Sequence, residues 1–257
     1  MGKKFLFLLL ILVPSTATFA AAPVCSALLQ RIENADFMTA RDLSAYKELF
    51  GARFSKSLAA MGPEDVWLDA GSGQTFAMMD YMEARNENQT ARGIAVSYTE
   101  PHFSSKKVQS AFNKFQREDR FKVISGVYFE DVPKNALGSP KLITDLYGVI
   151  SYSSAPDVIL SRYLDILDPE GSIYIYTRRI NTLIRSLDGV EMDFFDYVKS
   201  IPGIQVVKNN PGPFTPYISI QIHRTEQFKS GNVPALKLLK MTDGAPPVRR
   251  YRVIRVH

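Results

Sequence analysis

An acidic, glycine-containing segment at residues 69–73, Asp-Ala-Gly-Ser-Gly, carries the clearest chemistry in the sequence. It follows an apolar run and precedes an amphipathic stretch, so it joins a buried strand to a helix. Gly71 and Gly73 let the backbone approach a ligand without a Cβ atom in the way, and the next helix offers free N–H groups to an anion. Asp69 would accept hydrogen bonds from a cationic or hydroxyl-bearing ligand. The alternative is a tight strand-to-helix turn that binds nothing.

Other common sites are not indicated by the residue pattern. A nicotinamide fingerprint would have a third glycine where Phe76 stands, and the chain has no Gly-Lys-Ser/Thr phosphate loop. The three histidines are far apart in the sequence, at positions 102, 223 and 257. Cys25 is the only cysteine, so the chain can form no internal disulfide and no cysteine-rich metal site. We therefore predict no metal centre.

The elements around this segment alternate between apolar strands and amphipathic helices. The predicted strands are residues 65–71, 91–98, 120–129, 141–152, 172–177, 204–209 and 217–225. The predicted helices are residues 75–87, 104–119 and 156–171, with a further one within 180–187 or 192–201. Because 46% of the 257 residues are apolar, the chain can bury a full core and is not of a disordered or fibrous class.

This alternation predicts an α/β fold of the Rossmann-like, doubly wound type, with a mostly parallel seven-stranded sheet. The last two strands are joined by the Pro- and Gly-rich segment 210–216, without a helix, so one strand near the edge is antiparallel. Open parallel sheets bind ligands outside the carboxyl ends of their strands, where the strand order reverses. The 69–73 segment lies at such an end.

Three segments resemble the class I S-adenosylmethionine-dependent methyltransferases. "VWLDAGSG" is similar to the first motif of that family, "TDLYGVISY" to its fourth, and "YLDILDPEGSIYIY" to the segment that follows. The resemblance covers roughly residues 45–225. It implies S-adenosylmethionine (SAM) as cofactor, with Asp69, Gly71, Ser72 and Gly73 at its methionine end. It also implies that Asp145, with Leu146 and Tyr147, faces the transferred methyl group, so Asp145 and Tyr147 are the candidates for orienting an acceptor.

The sequence departs from the family at the nucleoside end of the cofactor. The family usually has a ribose-binding acid at the end of the second strand, and we place Ala95 at that position, with Glu100 as the substitute. Val127 stands where an acid commonly binds the adenine, which leaves Glu130 or Asp131 farther along. Each missing hydrogen bond weakens binding by on the order of 1 kcal/mol.

The resemblance leaves two functions open. One is SAM-dependent methyl transfer to an unidentified small molecule or protein, and the other is an exported, inactive protein of the same fold that binds a ligand or partner. No Asn-Pro-Pro-Tyr acceptor motif occurs, so the sequence does not name the acceptor. The predicted domains are a signal peptide at 1–20, an N-terminal helical cap at 21–60, a methyltransferase-like domain at 61–226 and a C-terminal extension at 227–257.

The first 22 residues have the three zones of a signal peptide. Lys3 and Lys4 precede an apolar stretch from residue 5 to 13, and small residues follow at 17–22. The apolar stretch is shorter than the roughly 20 residues of a membrane span. We therefore expect cleavage after Ala20 and a periplasmic or secreted protein, or alternatively an inner-membrane anchor. Only such an uncleaved segment is expected to contact the membrane.

The last residues concentrate positive charge. The formal net charge is +5, and Arg249, Arg250, Arg252 and Arg255 lie among aliphatic residues and Tyr251. Such a cluster suits nucleic acid or anionic lipid. The favoured interpretation is instead an edge strand whose exposed arginines prevent edge-to-edge pairing, so we predict no strong nucleic-acid binding.

Overall fold

The computed structural model describes residues 41–84, 90–103, 105–179, 182–209, 216–242 and 248–255. The predicted signal peptide and the first half of the predicted helical cap lie outside the described residues. Within the described part of the chain, no helix is long and apolar enough to span a membrane. The residues from 41 onward belong to one compact unit.

The larger sheet has seven strands. They are β1 (Val66–Ala70), β2 (Arg92–Ser97), β3 (Phe121–Ser125), β4 (Leu142–Leu146), β5 (Ser172–Arg178), β8 (Ile204–Lys208) and β9 (Tyr217–Arg224), in the order β3-β2-β1-β4-β5-β9-β8. The first five pair in parallel, whereas β9 is antiparallel to both β5 and β8. The predicted fold class is confirmed, including the single reversed strand.

The helices join these strands and cover both faces of the sheet. They are α1 (Leu43–Phe50), α2 (Ala52–Ala59), α3 (Phe76–Glu83), α4 (Lys106–Arg117), α5 (Lys134–Leu137), α6 (Val149–Tyr152), α7 (Pro156–Ile166) and α8 (Phe194–Lys199). α1 begins where the Asp42 side chain accepts a hydrogen bond from the N–H of Ala45. The strand order reverses between β1 and β4, which creates a crevice at their carboxyl ends.

The segment 141–152 does not form the single strand that its apolar content predicts. The strand ends at Leu146, and the short helix α6 follows. The reason is the buried Asp145, which accepts hydrogen bonds of 2.9 Å from the backbone N–H groups of Gly148 and Ile150 and so turns the chain.

A second sheet of four strands contains the C-terminal residues. Its strands are β6 (Thr182–Arg185), β7 (Glu191–Asp193), β10 (Ala235–Met241) and β11 (Arg249–Arg255), in the order β10-β11-β6-β7. The possible helix within 180–187 is therefore wrong, because residues 182–185 are a strand. The helix within 192–201 is present as α8.

The C-terminal residues are part of the core and are not an edge. β11 pairs with β10 on one side and with β6 on the other, so the predicted edge strand is an interior strand. Tyr251 and Val253 are buried in the same apolar cluster as Ile184 and Tyr197. The predicted domain boundary at residue 226 therefore does not coincide with a limit of packing.

Candidate functional site

Asp69 lies at the crevice, but its carboxylate points into the protein. Its side chain is 1% exposed. The hydroxyl of Thr144 donates to one carboxylate oxygen at 2.6 Å, and the hydroxyl of Tyr46 donates to the other at 2.7 Å. The indole N–H of Trp67 in turn donates to the Thr144 hydroxyl at 2.8 Å. Asp69 is therefore the end of a buried hydrogen-bond chain that links β1, β4 and α1.

Burial raises the pKa of Asp69 to about 6, while the hydrogen bonds from Thr144 and Tyr46 and the charge of Arg41 act against that rise. The guanidinium of Arg41 donates to the carbonyl of Leu146 at the end of β4. Helix α1 and Arg41, two residues before it, thus contact residues near the carboxyl ends of β1 and β4. The helical cap at 21–60 stays a prediction, and its described residues form α1 and α2.

Asp145 occupies the neighbouring strand and is fully buried. Besides the two backbone N–H groups that turn the chain, its carboxylate accepts a hydrogen bond of 2.8 Å from the hydroxyl of Tyr163 on α7. Burial raises its pKa to about 7. The predicted role of Asp145 in facing the methyl group is corrected accordingly: its carboxylate holds the β4–α6 turn and α7 together, and so acts on the crevice only through that turn.

Gly71 and Gly148 bring the two loops of the crevice into direct contact. Gly71 has a φ of +79°, and a Cβ atom on it would collide with the Cα of Gly148. A Cβ atom on Gly148 would collide with the carbonyl oxygen of Ala70. The sequence predicts that Gly71 makes room for a ligand, whereas in the structure it makes room for the loop after β4.

Ser72 and Thr75 carry unsatisfied polar groups in the β1–α3 loop. Their side chains are 6% and 1% exposed, and neither hydroxyl has a hydrogen-bond partner among the described residues. Thr75 has a φ of 64°, which is a strained conformation for a β-branched residue. Gly73, between them, has a φ of 55°. Backbone strain and unpaired buried hydroxyls in one loop point to a ligand that completes it.

Among the described residues, the acids nearest the carboxyl ends of β2 and β3 lie in the loops beyond the two strands. Ala95 is fully buried and lies opposite Asp69 in the β1–β2 register, two residues before the end of β2. Our placement of Ala95 at the ribose position is therefore wrong, since Ser97 ends the strand. Glu100 is exposed in the loop beyond it.

Farther along the same edge, Val127 is 39% exposed after β3. The carboxylate of Glu130 accepts a hydrogen bond of 3.3 Å from Ser153, and Asp131 is exposed. Tyr98 and Tyr128 follow β2 and β3 and place their ring centroids 5.7 Å apart. Two aromatic side chains thus lie just beyond the carboxyl ends of β2 and β3.

Tyr147 lies in an aromatic cluster at the carboxyl ends of β4 and β5. It has a φ of 48° and is half-buried. Its ring centroid is 5.1 Å from that of Tyr176 and 6.0 Å from that of Tyr217, and the Arg41 guanidinium lies 5.3 Å from it. Burial raises the pKa of Tyr147 well above its usual value. Tyr147 directly follows Leu146, the last residue of β4, and its polar side chain is half-buried there.

Several side chains of this region were missed by sequence reasoning. Tyr46 and Arg41 belong to the predicted cap, and only their contacts show that they reach the strand ends. Thr144 lies in the segment similar to the fourth motif, so a polar residue before Asp145 was a usable signal. Among the described residues, no group of three or more acids, histidines or cysteines is placed to hold a metal ion.

No protein-family model and no curated protein sequence matches the chain. Solved structures do show likeness. A SAM-dependent methyltransferase from Clostridium acetobutylicum is 12% identical with a TM-score of 0.47, over 78% of this chain and 99% of that one. An rRNA methylase from Streptococcus thermophilus is 12% identical with a TM-score of 0.45, over 68% of this chain and 95% of that one.

An O-methyltransferase from neocarzinostatin biosynthesis, solved with S-adenosyl-L-homocysteine, is 14% identical with a TM-score of 0.43, over 71% of this chain and 56% of that one. Because these scores lie below 0.5, the fold assignment rests on the strand order and pairing of this chain itself. The seven-stranded sheet, with its reversed strand, forms a Rossmann-like fold. This is the fold that the resemblance to class I SAM-dependent methyltransferases implies.

Proposed function

We propose that the protein binds SAM in the crevice between β1 and β4 and transfers its methyl group to an acceptor. The observation that carries this proposal is the pair of buried, unpartnered hydroxyls of Ser72 and Thr75. A buried hydroxyl without a partner is unfavourable by about 1–3 kcal/mol. A ligand with a carboxylate and an ammonium group, such as the methionine end of SAM, would supply the missing partners.

The residues of the loop and the crevice would bind and orient the two reactants. Ser72, Gly73 and the first N–H groups of α3 would hold the carboxylate of the cofactor. Asp69, which the resemblance places at the cofactor, would act at least through its charge, because its carboxylate is largely ionised above pH 6 and favours a cation nearby. SAM supplies an already activated methyl group, so positioning the acceptor in line provides most of the catalysis.

Tyr147 is the side chain that we assign to orienting the acceptor, because it is half-buried at the end of β4. Its raised pKa keeps the phenol protonated at neutral pH, so it would donate a hydrogen bond and would not act as a base. Glu100, exposed beyond β2, remains the candidate for the ribose hydroxyls.

A second function is favoured by the tight packing of the crevice. The contact between Gly71 and Gly148 occupies space where the sequence predicts a ligand, and the buried carboxylates of Asp69 and Asp145 each accept hydrogen bonds from the protein. These features suit a protein that keeps the fold and binds a ligand or partner without chemistry. The predicted export signal supports the same alternative, because SAM is made in the cytoplasm.

The location of the protein bears on this choice. We propose that residues 1–20 direct export to the periplasm or the medium. An uncleaved segment that anchors the chain in the inner membrane is the alternative.

Calorimetry of the full chain with SAM and with S-adenosylhomocysteine tests the proposed function. A dissociation constant below about 100 μM, which corresponds to roughly 5.5 kcal/mol, is expected if the crevice is a cofactor site. If neither ligand produces heat of binding at millimolar concentration, the proposed function is wrong and the non-catalytic alternative is favoured.

A further inference from the structure

The second sheet has one face in the core and one face in solvent. Along β11 the side chains alternate between the two faces. The buried residues are Arg249, Tyr251 and Val253, and the exposed ones are Arg250, Arg252 and Ile254. The single aromatic residue of this basic segment therefore points inward.

The strand register places like charges opposite one another on the solvent face. Lys237 lies opposite Arg252 and Lys240 opposite Arg250 across the β10–β11 pair. Arg252 is also opposite Arg185 on β6. All five side chains are exposed. We call these five residues the basic face. Like charges directly opposite each other destabilise a sheet, so this arrangement favours an anionic partner.

Acidic side chains neutralise only the β7 side of the sheet. Glu191 pairs with Arg185 at 3.7 Å, and Asp193 pairs with Arg179 at 3.6 Å. In the part of the chain that is described, no carboxylate lies within 4.0 Å of the charged groups of Lys237, Lys240, Arg250 or Arg252. Among the described residues, the cations of β10 and β11 therefore have no carboxylate paired with them.

Exposed aliphatic side chains lie beside these cations. Ile254 is 53% exposed and Leu239 is 48% exposed. Cations interleaved with aliphatic side chains suit the boundary of a bilayer, where phosphates meet the charges and acyl chains meet the aliphatic groups. Single-stranded nucleic acid would instead require exposed aromatic residues for stacking, and Tyr251 is 1% exposed.

We propose that the basic face docks the protein onto a membrane surface rich in anionic phospholipid. This goes beyond the predicted contact through an uncleaved N-terminal segment, and it does not depend on whether the crevice binds SAM. It gives the cationic strand β11 a function that the crevice does not explain. Each lysine or arginine next to such a surface strengthens binding about fivefold.

The test compares three full-length proteins: the wild type, the Arg250→Gln/Arg252→Gln variant and a control, Lys106→Gln/Lys107→Gln, which removes the same charge from an exposed position on α4. Binding is measured by sedimentation with phosphatidylcholine vesicles, with and without phosphatidylglycerol. Because the N-terminal segment is the same in all three, differences between them report the substituted face. Thermal unfolding checks that both variants are folded.

We expect the Arg250→Gln/Arg252→Gln variant to bind the anionic vesicles about 25-fold more weakly than the wild type, and the control to differ by less than about twofold. Vesicles without phosphatidylglycerol should not distinguish the three proteins. Equal binding of the variant and the control to anionic vesicles would overturn the proposal. It would also be overturned if a short DNA duplex displaced the vesicles from the wild type, since nucleic acid would then be the partner.

Discussion

The hydroxyl of Tyr46 donates a 2.7 Å hydrogen bond to the buried carboxylate of Asp69. The bond joins helix α1 to the acid next to the end of β1. The sequence predicts that Asp69 binds a ligand. In the structure its carboxylate already accepts hydrogen bonds from the hydroxyls of Tyr46 and Thr144. These two hydrogen bonds give Asp69 a role in the stability of the fold.

Removing the Tyr46 hydroxyl should destabilise the fold. Tyr46→Phe leaves one carboxylate oxygen of Asp69 buried without a partner, so we expect a loss of about 1.5–3 kcal/mol in the free energy of unfolding. Denaturant unfolding measures it. Asp131→Asn, at an exposed acid, is the control and should change little. A Tyr46→Phe protein as stable as the control would show that the bond is absent in solution.

Stability should fall as the pH rises from about 4 to 7. Burial raises the pKa values of Asp69 and Asp145 to about 6 and about 7, above the usual 3.8 of an aspartate. In that window the unfolded chain has released the protons that the folded chain still holds, so raising the pH favours unfolding. The two shifts together correspond to a loss of stability on the order of 5–10 kcal/mol.

Asp69→Asn should flatten the part of this dependence below pH 6. Its amide oxygen can accept from Tyr46 and its N–H group can donate to the Thr144 hydroxyl, so the buried contacts survive. Melting temperatures between pH 4.5 and 7.5 measure both proteins. A wild type whose stability rises through this range would contradict the raised pKa values.

Gly71→Ala should be more destabilising than an alanine at another glycine with the same backbone conformation. Gly126 provides that control, because its φ is +72° against +79° for Gly71, but a Cβ atom on it meets nothing within 4 Å. Gly126→Ala should lower the free energy of unfolding by about 1 kcal/mol, because alanine is strained in the left-handed conformation. Gly71→Ala adds the collision with Gly148, and we expect a loss of more than about 3 kcal/mol. Similar losses for both variants would mean that the two loops are not in contact.

The C-terminal strands should be necessary for cooperative folding. A chain that ends at Thr225 loses β10 and β11, which exposes the apolar neighbours of Tyr251 and Val253 in the core. We expect it to aggregate or to unfold without a cooperative transition, whereas a chain that ends at Arg255 should unfold like the full chain. Calorimetric unfolding distinguishes them. A soluble, cooperatively folded chain ending at Thr225 would support the boundary that the sequence predicts.

The sequence predicted the larger sheet well, apart from where β4 ends, because most of its strands are short apolar runs with a clear turn or helix after them. Residues 218, 220 and 222 show this, since alternate isoleucines on one strand are all buried. The second sheet was missed because its pairing is between distant segments. Thr182–Arg185 pairs with Arg249–Arg255 in parallel, and such a contact leaves no local pattern.

The site was predicted only in part, for a related reason. The position of Asp69 at a strand end follows from local sequence, but the direction of its carboxylate depends on Tyr46, 23 residues away. The same holds for Gly71, whose neighbour Gly148 belongs to another loop. Spacing along the chain indicates which residues line a crevice, and packing between loops determines which of their atoms remain available to a ligand.

The most direct test of the account is the affinity for S-adenosylhomocysteine of a variant that lacks both unpartnered hydroxyls, Ser72→Ala/Thr75→Val. The substitutions keep the shapes of the side chains, so the fold should be as stable as the wild type or more stable. Calorimetry should show binding weakened at least tenfold, which corresponds to about 1.4 kcal/mol. Binding that is unchanged in this stable variant would contradict the placement of the cofactor in the β1–α3 loop.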